Sequence, residues 1–130
     1  MRDLISSTPG AEGKWFAAAK DAGLFDVAIE LATRSPTDPR TLARAARDYG
    51  VELPGFAIAS GLAALRWISH GYGYEITGMD VLDAYTAVMQ AASGAGVDEH
   101  RIKEQIREMI SGSQPGNQFV KKILAHHLSA

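Results

Sequence analysis

The chain has 130 residues, 46% of them hydrophobic and 22% charged, with a formal net charge of -2. That is enough to bury one core without staples, and too evenly charged for the basic footprint of a nucleic-acid binder. The absence of cysteine excludes disulfides, thiolate metal sites and cysteine nucleophiles.

No signal-peptide pattern is present in residues 1–13. The most apolar stretch, residues 56–65, is far shorter than a membrane span. A cytoplasmic location and no membrane partner are therefore expected. Residues 1–12 form a polar leader containing Ser6, Ser7, Thr8, Pro9 and Gly10, expected to be mobile.

The remaining pattern predicts seven helices and no strand. The first covers about residues 14–22 and stops near Gly23, a suitable helix terminator. The second covers about residues 24–34. After the turn at Ser35-Pro36-Thr37, Asp38 is a good N-cap and Pro39 a good first residue for the third helix, about residues 39–49. Leu42, Ala45, Ala46 and Tyr49 give that helix one apolar side.

The fourth helix, residues 54–69, has Arg66 as its only charged residue and is otherwise apolar in nearly every direction, which places it at the centre of the domain. A Gly/Tyr loop, residues 70–75, follows. Thr77 then caps the fifth helix, with Asp80 in the capping-box position and Val81, Leu82, Tyr85, Val88, Met89 and Ala92 on the apolar face. Asp80, Asp83, Thr86 and Gln90 lie off that face. The Gly94-Ala95-Gly96 segment breaks the helix. The sixth, about residues 98–110, carries Ile102, Ile106, Met109 and Ile110 on one stripe. Residues 111–116 read as a flexible linker before a last helix, about residues 118–128, with Phe119, Val120, Ile123, Leu124 and Leu128. A leader over 1–12, a helical domain over 13–112 and a tethered helix over 113–130 are expected.

A large–small–large face occurs twice, as Phe25-x-x-Ala28-x-x-Leu31 and Phe56-x-x-Ala59-x-x-Leu62. The small residue is expected to let a neighbouring helix come close. Together with Ala28-Ile29, the proline turn after Leu31 and Trp15 ten residues before Phe25, the first copy resembles the second helix of a tetratricopeptide-type repeat. The offset of 31 between Phe25 and Phe56 is close to that family's period of about 34. The likeness covers about residues 14–70. It departs from the family where Ala18, Ala19 and Ala22 replace a leucine-glycine pair and a tyrosine, and where Ala32 replaces an aromatic. The resemblance implies stacked antiparallel hairpins, a short right-handed α-solenoid, and a surface for a protein or peptide.

Arg40, Arg44 and Arg47 share one side of the third helix and are candidates to clamp carboxylates of a partner, since guanidinium groups bind them bidentately. Solvation of an exposed face is the alternative. In the loop His70-Gly71-Tyr72-Gly73-Tyr74-Glu75, Tyr72 and Tyr74 are candidate contacts for a peptide or small polar ligand, or else cover Trp67. No nucleophile or oxyanion motif accompanies His70 and Glu75, so no catalytic residue is assigned. The adjacent His126 and His127 point about 100° apart on a helix and do not chelate one ion, so neither metal nor cofactor is expected. Gly10-x-x-Gly13-Lys14 lacks the spacing and hydroxyl residue of a phosphate loop. The fourth helix is too apolar to serve as a DNA-recognition helix.

These readings point to a non-enzymatic interaction domain, possible as part of a larger assembly. The alternatives are self-association through the last helix, and a small-molecule-binding or catalytic domain centred on residues 70–75.

Overall fold

The structure, a computed structural model, describes residues 12–34, 37–72, 75–112 and 115–128, with residues 12–15 as backbone only. Those residues contain seven helices and no strand: α1 (Glu12–Asp21), α2 (Phe25–Arg34), α3 (Pro39–Asp48), α4 (Pro54–Ser69), α5 (Gly78–Ala95), α6 (Glu99–Met109) and α7 (Pro115–Leu128). The polar leader up to residue 11, Ser35-Pro36, Gly73-Tyr74 and Ser113-Gln114 lie outside the described residues.

Local chemistry explains most helix ends. Asp38 precedes Pro39 at the start of α3, but its carboxylate accepts from the Thr41 hydroxyl at 3.0 Å and caps no backbone N–H. The Asp80 carboxylate accepts the Thr77 backbone N–H at 2.8 Å, the reach-back half of the expected capping box. Helix α5 runs through Gly94 and stops at Gly96, whose φ of 73° closes the helix in the left-handed region.

The last helix begins earlier than its composition predicts. Pro115 and Gly116 belong to α7 because the start of this helix is pressed onto the end of α4. A Cβ on Gly116 would overlap the carbonyl of Ser69. Beside it, the buried Asn117 amide donates to the Ser69 hydroxyl. Proline suits a first turn, where its missing N–H costs nothing. Val120, Leu124 and Leu128 are buried as α7 packs on α4 and α5 of its own chain.

The apolar circumference of α4 is used. It packs against α2, α3, α5, α6 and α7, and buries Phe56, Ala57, Ser60, Gly61, Ala64, Leu65, Trp67, Ile68 and Ser69. Its N-terminal end meets an aromatic cluster. Phe25 packs edge-on against Phe56 at 4.9 Å and Tyr49 at 5.4 Å, while Phe16 stacks on Phe56 at 6.0 Å. Near the other end, the Trp67 indole N–H donates to the Ala32 carbonyl at 2.6 Å.

The two Phe-x-x-Ala-x-x-Leu faces are used differently. In α2, Ala28 and Leu31 are buried; in α4, Ala59 and Leu62 are half-buried. The close approach expected at Ala59 occurs at Gly61. A Cβ there would collide with Val88 Cγ2 and would also touch Ala46 Cβ and the Ala84 carbonyl at 3.4 Å. Four buried alanines, Ala46, Ala57, Ala87 and Ala91, fill the same junction of α3, α4 and α5. The adjacent Ser60 hydroxyl is fully buried with no hydrogen-bond partner among the described residues.

Two substitutions test this junction in opposite directions. Gly61→Val should lower unfolding free energy by about 2–3 kcal/mol, because overpacking a close-packed seam outweighs a small gain in helix propensity. Ser60→Ala should raise it by about 1 kcal/mol by removing an unpaired buried hydroxyl. Urea denaturation of both variants beside the parent reads the two signs.

Candidate functional site

A polar concavity lies along the seam between α3 and α5. It has a volume of about 400 Å³, with Arg40, Arg44 and Arg47 on the α3 wall and Asp80, Asp83, Thr86 and Gln90 on the α5 wall. A second hollow of about 180 Å³ shares Arg47, Ala87 and Gln90 with it and continues to Gly50, Val51 and Gly94. The floor is small: Ala43 and Ala87 in the first part, Ala46 and Ala91 in the second.

The three arginines do different things. Arg40 grips Asp80 with two hydrogen bonds, from Nε at 3.0 Å and Nη2 at 3.1 Å, and Nη2 also donates to the Glu75 carbonyl at 2.8 Å. Glu75 has a φ of 48°, a left-handed conformation uncommon for a residue with a side chain. Arg40 therefore ties the chain before α5 to the start of α3. Among the described residues Arg47 pairs only with its neighbour Asp48, at 3.1 Å, and both side chains are well exposed. Such a pair contributes little to stability. The guanidinium of Arg44 has no hydrogen bond or ion pair among the described residues, and neither do the side chains of Asp83, Thr86 and Gln90.

The Arg40 hydrogen bonds hold the Asp80 carboxyl below the usual carboxylate range. The Thr77 backbone N–H adds to that effect, while partial burial opposes it. The groove therefore keeps Asp80 ionised and its first cation neutralised, leaving Arg44 and Arg47 as the available positive charges.

The Gly/Tyr loop is elsewhere. Tyr72 packs edge-on against Trp67 at 5.4 Å, as does His70 at 5.6 Å. Tyr72 remains half-exposed and lines a separate, mostly apolar hollow of about 280 Å³ with Ile68, Ile76 and Phe119. Tyr74 lies outside the described residues. The only link between loop and groove on these residues is the Arg40 bond to Glu75. At the C-terminal end, the His127 ring sits 5.1 Å from Tyr85, whose phenol is pushed up chiefly by burial.

Reading the sequence for sites marked the α3 wall and missed the α5 wall. Asp83, Thr86 and Gln90 recur at helical spacing opposite the apolar side of α5, a visible signal. That this stripe faces the arginines depends on which helices pair.

Among the described residues, no group of three His, Asp or Glu side chains is placed to hold a metal ion. No helix there is long and apolar enough to cross a membrane. The fold and groove define an all-α protein with a mixed-charge interhelical cleft. No protein-family model, curated protein or solved structure matches the chain.

The Asp80 anchor predicts a pH signature. A carboxyl depressed on folding contributes stability that is complete above its unfolded value, near 4, and lost as pH falls through the lower folded value. Asp80→Asn should therefore lower unfolding free energy by about 1 kcal/mol at pH 7, the typical size of a lost cap. The gap between parent and variant should narrow below about pH 4. Thermal melts from pH 7 to pH 2.5 check both parts.

Proposed function

We propose that this is a non-enzymatic interaction domain that binds a protein or peptide in the α3–α5 groove. The observation that carries this reading is the unpaired wall chemistry. Arg44 and, across the seam, Asp83, Thr86 and Gln90 are exposed and without side-chain partners among the described residues, over a floor of methyl groups. A segment lying there meets donors and acceptors on both sides without first breaking a network. The groove holds no histidine, and its carboxylate nearest Arg40 is fixed as a structural acceptor. The Tyr72 loop is a secondary contact candidate, as is Tyr74 by sequence.

The architectural half of the proposal is a short stack of helical hairpins of tetratricopeptide-like type. What supports it is the packing of α1 on α2, of α3 on α4 and of the second helices on each other. Phe25 against Phe56 joins their N-terminal ends, and Ala32 against Trp67 joins their C-terminal parts, as expected of helices in successive pairs. The contacts of α4 with α5, α6 and α7 go beyond such a stack.

A random heptapeptide library displayed on phage and panned against the full chain tests the binding reading. Enriched peptides should bind at least about tenfold more weakly to Arg44→Glu/Arg47→Glu, the loss expected when charge-assisted contacts are reversed. The melting temperature of that variant should stay within about 2 °C of the parent, because neither side chain anchors the fold. Absence of any enriched peptide, or affinity indifferent to the double substitution, overturns the proposal.

A further inference from the structure

The two walls of the groove differ in kind, and the difference specifies an occupant. The α3 wall offers cations. Among the described residues Arg44 has no side-chain partner and Arg47 pairs with its exposed neighbour Asp48 alone, so both guanidinium groups present N–H donors to an incoming anion. The α5 wall offers a line of exposed polar groups, Asp83, Thr86 and Gln90, suited to hydrogen-bonding a peptide main chain. The floor between them is built of small side chains, Ala43, Ala46, Ala87 and Ala91, with Pro39 at one end and Val51 and Pro54 at the other. The alanine stretch beside Arg44 is shallow, so the charged and polar walls and not a row of deep apolar anchors set the contacts there.

Spacing then sets the register. Side chains three apart on a helix have Cβ atoms about 5–6 Å apart, which is the separation at the base of Arg44 and Arg47. In an extended chain, alternate residues point the same way and are spaced at about 6.6 Å, while adjacent residues point oppositely. Carboxylates two positions apart therefore match the two guanidinium groups, and adjacent ones do not. The run of α3 from Arg40 to Asp48 is about 12 Å at helical rise, room for roughly four extended residues. The carboxylates of Asp80 and Asp83 line the same groove. They disfavour a single dianionic phosphate, which concentrates its charge at one point, relative to two carboxylates spread over Arg44 and Arg47.

Building on the peptide-binding reading, we propose that the groove takes an extended acidic segment of a partner protein, with two carboxylate side chains at positions i and i+2 on Arg44 and Arg47 and its main chain on Asp83, Thr86 and Gln90.

The test is NMR titration of the isotope-labelled full chain with end-capped hexapeptides at low salt. The probes are Gly-Asp-Ser-Asp-Ser-Gly, its Asn-x-Asn counterpart, a version with adjacent aspartates, a version with one phosphoserine replacing both aspartates, and Gly-Lys-Ser-Lys-Ser-Gly. The Asp-x-Asp peptide should shift amide signals of α3 and α5, and bind about tenfold or more tightly than the asparagine and adjacent-aspartate peptides. Arg44→Glu/Arg47→Glu should abolish that binding and instead accept the Lys-x-Lys peptide. Equal affinity for the adjacent-aspartate peptide, tighter binding of the phosphoserine peptide, or no shift at the groove overturns the proposal. If library-selected peptides still require Arg44 and Arg47 while the Asp-x-Asp peptide does not bind, the acidic register fails and the peptide-binding reading stands. If neither binds, both fail.

Discussion

Everything in the middle of this molecule depends on how closely α3 and α5 can lie against α4, and that distance is set by a glycine and four alanines around one valine. Gly61 leaves room for Val88, and Ala46, Ala57, Ala87 and Ala91 fill the junction around it. A glycine inside a helix costs about 1 kcal/mol relative to alanine. Here the Val88 side chain fills the space that a Cβ would take, and the gain is its dispersion contact with α4. With α3 and α5 both drawn onto α4, they also touch each other. Their solvent-facing sides then become the two walls of one groove.

The groove inherits its character from this packing. Small residues at the seam make a shallow apolar floor, and the polar stripes of two helices stand on either side of it. Arg40 closes one end by joining Asp80 and the Glu75 carbonyl, so one cation becomes part of the framework. The bond works twice: it keeps Asp80 ionised, and the ionised Asp80 accepts an N–H that the first turn of α5 would otherwise leave open. Arg44 and Arg47 follow on the same wall, where nothing distant in the chain engages them among the described residues.

Around this centre, the two ends of the chain are fastened by different physics. Helices α1 and α2 attach through aromatic faces and edges, with Phe16 and Phe25 meeting Phe56 and Trp67 reaching the Ala32 carbonyl. Helix α7 attaches through an apolar stripe and a polar pin, Asn117 to Ser69, placed where Gly116 allows backbone contact. At its far end, the Arg107 guanidinium donates to the Leu128 carbonyl. The buried part of its apolar stripe, Val120, Leu124 and Leu128, packs on its own chain.

The sequence by itself determined the all-helical character, the bounds of α4, the stop near Gly23, the start of α3 at Pro39 and the Thr77–Asp80 reach-back. These signals act over three or four residues, through periodicity, ring constraint or hydrogen bonds to the nearest turn. The apolar girth of α4 also announced that it would be surrounded. Only the tertiary structure decided that the tight approach falls at Gly61 and not at Ala59, that α7 begins at Pro115, and that Arg40 is tied down while Arg44 has no side-chain partner among the described residues. The same holds for the facing of Asp83, Thr86 and Gln90 toward the arginines across some forty residues of chain. A helix pattern tells which side is polar. Which other polar side it meets is a property of packing between distant segments, where removing apolar area from water outweighs the preferences of any single turn.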